Sequence, residues 1–192
     1  NKKPIRLYFA NEDNTKLKLE IRYIDDPDAK KSLSNLASIV INELIKGPSD
    51  DTAFRRTVPA EAKLHSPVSI NGKVATVDMT KEFCTKHPGG KDAEKMTIYS
   101  IVNSLTELEG IEKVKFLIEG KTQKEFKGNF KFDAAFPRSV QLISKEAAET
   151  TSGITDSINQ DEQVNFDTIS EDEIMETSGQ NGEVVDGLEL LE

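Results

Sequence analysis

Two runs of strand-forming residues meet at Asn71-Gly72, and that junction constrains the fold more than any other stretch. Leu64-His-Ser-Pro-Val-Ser-Ile70 precedes it and Lys73-Val-Ala-Thr-Val-Asp-Met79 follows. Asn-Gly between such runs is a strong short-range hairpin signal, because a type I′ turn needs positive φ at both central residues. The spacing therefore predicts an antiparallel hairpin of 64–70 with 73–79. In its second arm Ala75, Val77 and Met79 point one way, and Val74, Thr76 and Asp78 the other. Stretches of helical period lie on both sides in sequence, and each needs a sheet to cover.

The chain before the hairpin starts with Ile5-Arg-Leu-Tyr-Phe9, which alternates and reads as a strand. Leu17, Leu19, Ile21 and Tyr23 alternate with Lys16, Lys18, Glu20 and Arg22, the pattern of a half-buried strand. Over 29–46 the period changes. Leu33, Leu36, Ala37, Val40 and Leu44 form one helical stripe, stopped by Gly47-Pro48. A polar connection follows, with room for one helical turn near Thr52–Arg56. After the hairpin, Cys84 to Lys91 reads as a loop by its Gly and Pro content. Asp92 is then a candidate N-cap for a second stripe of Ile98, Ile101, Val102, Leu105 and Leu108, stopped by Gly110. Val114, Phe116 and Ile118 mark another strand, and Phe126, Phe130 and Phe132 a short irregular last one ending near Phe136-Pro137. The order β-β-α-β-β-α-β-β predicts an α+β fold: a small, mostly antiparallel sheet with two helices packed on one face.

Charge divides the chain. From residue 140 onward there are 14 acids and one base, against 20 acids and 24 bases before it. This predicts a 1–139 domain and an acidic, Ser/Thr/Gly-rich extension over 140–192. Small apolar islands such as Val164-Asn-Phe166 and Leu188-Glu-Leu-Leu191 give the extension the means to dock on the body or on a neighbour. An acidic extension argues against nucleic acid as its partner. One cysteine, Cys84, excludes an intrachain disulfide. No run of 18 apolar residues is present to span a bilayer.

Gly120-Lys-Thr122 resembles the end of a phosphate loop, but the required earlier glycine is Lys115, inside a strand, so a hairpin turn is the better reading. Cys84 and His87 have ligand spacing, yet zinc wants three or four ligands and only His65 remains. No G-x-S-x-G elbow supports a nucleophilic serine. Asp78, the acid on the central strand, either caps a neighbouring turn, the favoured reading, or faces a cleft. Phe130, Phe132 and Phe136 fit core closure better than a ligand platform. No catalytic, cofactor-binding or metal-binding residue is assigned.

These residues, in their order, resemble the GerM domain family, named for sporulation and spore germination. Leu7-Tyr8-Phe9 opens the domain. Glu43-Leu-Ile-Lys-Gly-Pro48 is similar to the family's L-x-x-G-P helix end, with Val58-Pro59 at the following turn. Val77-Asp-Met-Thr-Lys-Glu-Phe83 is similar to V-D-hydrophobic-S/T-x-x-F, and Val114 to Gly120 to V-x-F-x-I-x-G. The resemblance covers about 5–136. It implies a non-catalytic, extracytoplasmic domain without cofactor, made for protein contacts in envelope or spore assembly. It also implies a lipoprotein, with signal and anchor upstream of Asn1. Some relatives carry two such domains, whereas this chain has one and the acidic extension. The alternative expectation is a domain that binds or hydrolyses cell wall.

Overall fold

The computed structural model describes residues 1–25 and 32–145, and the backbone of 149–150. The extension beyond 150 lies outside the described residues. Strands β1 (Lys2–Ala10) and β2 (Leu17–Asp25) form a long antiparallel hairpin. Helix α1 (Leu33–Lys46) follows, its N-terminus capped by Ser32, whose hydroxyl accepts from Asn35 N–H. Strands β3 (Ser69–Asn71) and β4 (Val74–Met79) come next, then a single helical turn α2 (Glu82–Thr85) and helix α3 (Lys91–Leu105). Strands β5 (Lys113–Ile118) and β6 (Phe136–Pro137), a 3₁₀ turn at Val140–Leu142 and β7 (Glu149–Thr150) close the order.

The α+β class is as read from the sequence, with two refinements. The strands form two sheets, β1-β2-β7 and β3-β4-β5-β6, and β4 pairs with β5 in parallel. The reason is α3. Its 15 residues span about 22 Å at 1.5 Å per residue, enough to carry the chain back to the end where β4 began. A hairpin could not do that; a crossover helix can.

Within the expected hairpin, Ser69 pairs with Thr76 and Asn71 with Val74. The first arm is interrupted at Ser66-Pro67: Leu64 bridges Met79, two residues out of that register. The turn itself is not type I′. Gly72 has φ +61°, while Asn71 and Lys73 stay negative, the requirement of a type II′ turn with Gly first. A type I′ pair occurs elsewhere, at Glu119 (φ +50°) and Gly120 (φ +78°), closed by Lys121 N–H to Ile118 C=O at 3.0 Å.

In the first sheet Ile5, Leu7 and Phe9 of β1 lie opposite Arg22, Glu20 and Lys18 of β2. The apolar stripe of one strand thus shares a face with the charged stripe of the other. The charged stripe is covered. Glu20 is 1% exposed, and the Lys18 ammonium sits 4.9 Å above the Phe54 ring. The Arg22 guanidinium stacks over Phe9. Tyr23, on the nominally apolar stripe, is 37% exposed.

Helix α3 sits between the sheets and is buried on nearly all sides. Its N-cap is Gly90, whose C=O accepts from Glu94 N–H at 2.9 Å. Asp92 therefore lies in the first turn rather than at the cap, where its charge suits the helix dipole. The inner face of the second sheet packs on α3 and on a cluster of Phe83, Phe116, Phe126, Phe132 and Phe136, ring centroids as close as 4.8 Å.

Candidate functional site

Polar side chains on the two long helices are turned inward, onto the backbone of other segments. On α3, Ser100 Oγ donates to Tyr8 C=O at 2.5 Å, and Ser104 Oγ accepts from Tyr8 N–H at 2.9 Å. On α1, Ser34 Oγ donates to Val68 C=O and Ser38 Oγ accepts from Val68 N–H at 2.9 Å. Both are serines at i and i+4, one above the other on a helix face. Each pair clasps the N–H and C=O that one extended residue presents on the same side. Asn103 does the same to Ser139 with a single amide, giving and taking at 2.9 Å. Glu94, fully buried, accepts from Lys127 N–H and Asn129 N–H and from the Asn129 amide. In this way α3 closes the β1 edge at Tyr8 and fixes the loop at 127–129.

The Gly47-Pro48 signature has a similar cause. Arg56 donates to the C=O groups of Ile45 and Lys46, ending α1. A Cβ on Gly47, at φ +89° and ψ 179°, would lie 2.6 Å from Arg56 Nη2, so the position requires glycine. Arg22 holds the same loop, binding Glu20, Glu43 and Gly47 C=O. Burial raises the Glu43 carboxyl, but hydrogen bonds from Lys46 and Arg22 outweigh it and hold the group below its ordinary range.

The sequence candidates fall into two places. At the β5 turn, Asp78 Oδ1 accepts from Gly120 N–H at 2.9 Å, the turn-capping role. Its other oxygen meets His65 Nδ1 at 3.0 Å and Ser66 Oγ at 3.2 Å. Burial raises the Asp78 carboxyl, yet these donors outweigh it and leave it below the usual range. His65 is raised, first by its hydrogen bond to Asp78. Ser66 and His65 both address Asp78, whereas a nucleophilic triad needs the serine on the imidazole's far nitrogen. That nitrogen faces Glu119, at 3.4 Å.

His87 lies apart. Gly89 N–H donates to its Nδ1 at 2.9 Å, which leaves Nε2 protonated and donating to Thr97 Oγ1 at 2.7 Å. Both nitrogens are engaged in one neutral tautomer, and burial lowers the pKa to about 4. Cys84 is not its neighbour in a ligand set. Burial raises the Cys84 thiol, and its sulfur faces the Gln123 amide at 3.6 Å. Among the described residues no three His, Cys, Asp or Glu side chains gather as a metal site would require. A half-open groove of about 350 Å³ runs beside His87, between Val58-Pro59 and Pro88, floored by Met96 and Thr97.

What remains is surface. The outer face of the second sheet, with Ser69, Asn71, Lys113 and Lys115 exposed and Val74 and Thr76 half-buried, is turned away from the core. Sequence reasoning did not select this face. The signal was the Lys113/Lys115 alternation.

An α+β domain whose inward polar residues are committed to its own backbone, with one sheet face left uncovered among the described residues, is the class this geometry defines. Within that class the chain belongs to the Germane family, described as sporulation and spore germination, which it matches over residues 6–124. No curated protein matches the sequence. The fold is similar to the tandem GerMN domains of the sporulation protein GerM from Bacillus subtilis, with a TM-score of 0.58 at 24% identity. That likeness covers 74% of this chain and 47% of the tandem pair, so the chain spans about half its length. The first GerMN domain of the same protein gives 0.51 at 22% identity, over 72% of this chain and 98% of that one. A candidate lipoprotein from Clostridium perfringens gives 0.51 at 24%, over 71% and 88%. Among the described residues no helix is long and apolar enough to cross a membrane.

Proposed function

We propose that the chain is a non-catalytic interaction domain, acting outside the cytoplasmic membrane in sporulation, germination or envelope assembly. Family membership supports the process, and the likeness to a candidate lipoprotein supports the compartment and an anchor. The observation that carries the interaction role is the contrast between inside and outside. The polar side chains with catalytic character, Asp78, His65, His87 and Cys84, are engaged in turn capping, a fixed tautomer or a raised thiol. The second sheet meanwhile offers a mixed face of Thr76, Lys113 and Lys115, suited to a protein partner with a complementary acidic and apolar surface.

The test is site-specific photo-crosslinking in the spore-forming host, with the probe at Thr76 or Lys115 and a control at Lys95 on α3. Covalent adducts to a defined envelope or spore protein from the sheet-face probes alone are expected. Retention on purified cell wall, or release of wall fragments, abolished by Asp78→Ala in a variant that still folds, would overturn the reading in favour of a wall-directed domain.

A further inference from the structure

One imidazole lies between two carboxylates from different elements. His65 Nδ1 is 3.0 Å from Asp78 Oδ2 on β4, and Nε2 is 3.4 Å from Glu119 Oε2 in the turn after β5. An ionised carboxylate only accepts, so each contact is attractive only where the ring supplies a proton. A neutral imidazole has one N–H and turns a lone pair toward one of the two acids. The imidazolium has two N–H groups and satisfies both. Among the described residues neither carboxylate makes an ion pair with a lysine or arginine, and the ring is their one cation. The two acids are not equal. Asp78 has two other donors, Gly120 N–H at 2.9 Å and Ser66 Oγ at 3.2 Å. The Glu119 side chain is 43% exposed and meets His65, while its backbone is held separately, by N–H to Met79 C=O at 2.9 Å. The cluster lies on the outer face of the second sheet. Asp78 has the strand parity of Val74 and Thr76, and along the parallel pair Thr76 lies beside Lys115 and Asp78 beside Leu117. That face is basic where β4 and β5 begin and carries the imidazole where they end.

We propose that His65 is a proton-operated clasp. Charged, it ties residues 64–66 to the β5 turn through Glu119 and adds a positive charge to the outer face. Neutral, it keeps its N–H toward Asp78, the closer and more buried acid, and releases the Glu119 carboxylate. Asp78 from β4 and Glu119 from the turn are the ionised groups that face the ring; Ser66 and Gly120 complete its surroundings and do not titrate there. The direction of the His65 shift agrees. Its hydrogen bond to Asp78 raises it, solvent exclusion opposes this, and the charges of Asp78 and Glu119 add to the rise. The clasp is therefore closed below the folded value and opens as pH climbs through it. It works whatever docks on the face, because every group in it belongs to this chain.

The test is a nitrogen-15 and carbon-13 NMR titration of the full chain. The His65 midpoint is expected above about 6.5. Through it Nε2 should lose its proton while Nδ1 keeps one, and the Glu119 side-chain carbon should show a step at the same pH. In Glu119→Gln the midpoint should fall by roughly 0.2 to 0.7 in pH, the size that an exposed ion pair gives. His87, with a pKa of about 4, should stay unmoved over the neutral range and so report that the variant is folded. Loss of the proton from Nδ1 first overturns the proposal, as does a Glu119 carbon that is flat through the His65 midpoint. So does a folded Glu119→Gln variant with the midpoint of the unaltered chain.

Discussion

At the residue scale, two histidines on one small domain titrate in opposite senses. His87 is buried neutral with a pKa near 4. Between its unfolded value of about 6.5 and 4 the unfolded chain binds the extra proton, so this contribution to stability falls as pH drops through that window. His65 is raised by Asp78. Its contribution is complete below about 6.5 and is lost as pH climbs through the folded value. Urea midpoints measured against pH should therefore peak near 6.5, and His65→Gln should flatten the alkaline limb alone. Glu119 gives a second residue-scale prediction. A non-glycine residue at φ +50° carries backbone strain of about 1 kcal/mol. Glu119→Asn should raise stability by up to about that amount in a denaturant titration. The Asp78 cap was legible because Asp78 is the acid on the central strand; which turn it caps was not, since Gly120 lies 42 residues away. The His87 tautomer was not, because its partner Thr97 sits on a helix that the sequence presents only as an apolar stripe.

At the element scale, the helices were legible through their apolar residues and the clasps were hidden in their polar ones. Ser100, Asn103 and Ser104 look like a solvent face in sequence, yet all three are fully buried. A hydroxyl closing a strand edge has no local pattern, since its partner lies 92 to 96 residues away. Ser100→Ala leaves Tyr8 C=O buried without a donor, which costs about 1–3 kcal/mol. Ser34→Ala, half-buried on α1, should cost less, because water can replace the hydroxyl. Thermal unfolding of the two variants side by side checks the order. Gly47→Ala meets both a positive φ and the Arg56 guanidinium. It should cost more than about 1 kcal/mol, beyond the ordinary gain from removing a glycine, and Arg56→Ala should relieve part of that cost in the double variant.

At the scale of the whole molecule, sequence period reached the class and not the topology. Alternation in β4 and β5 is the same whether they run together or against each other. Only the length of α3 and the point where it returns the chain decide, and those depend on packing. The split into two sheets was likewise beyond reach, because it follows from α3 lying between β1 and β5 with its hydroxyls on one and its apolar side against the other. The measurement that reaches this arrangement most directly is native-state amide exchange at Tyr8. Among the described residues no strand lies beside its N–H on the β1 edge, and the Ser104 hydroxyl holds it at 2.9 Å. The account predicts that it exchanges as slowly as the α3 amides, and at least tenfold faster in Ser104→Ala. Exchange in the unaltered chain at the rate of an open strand edge would contradict it.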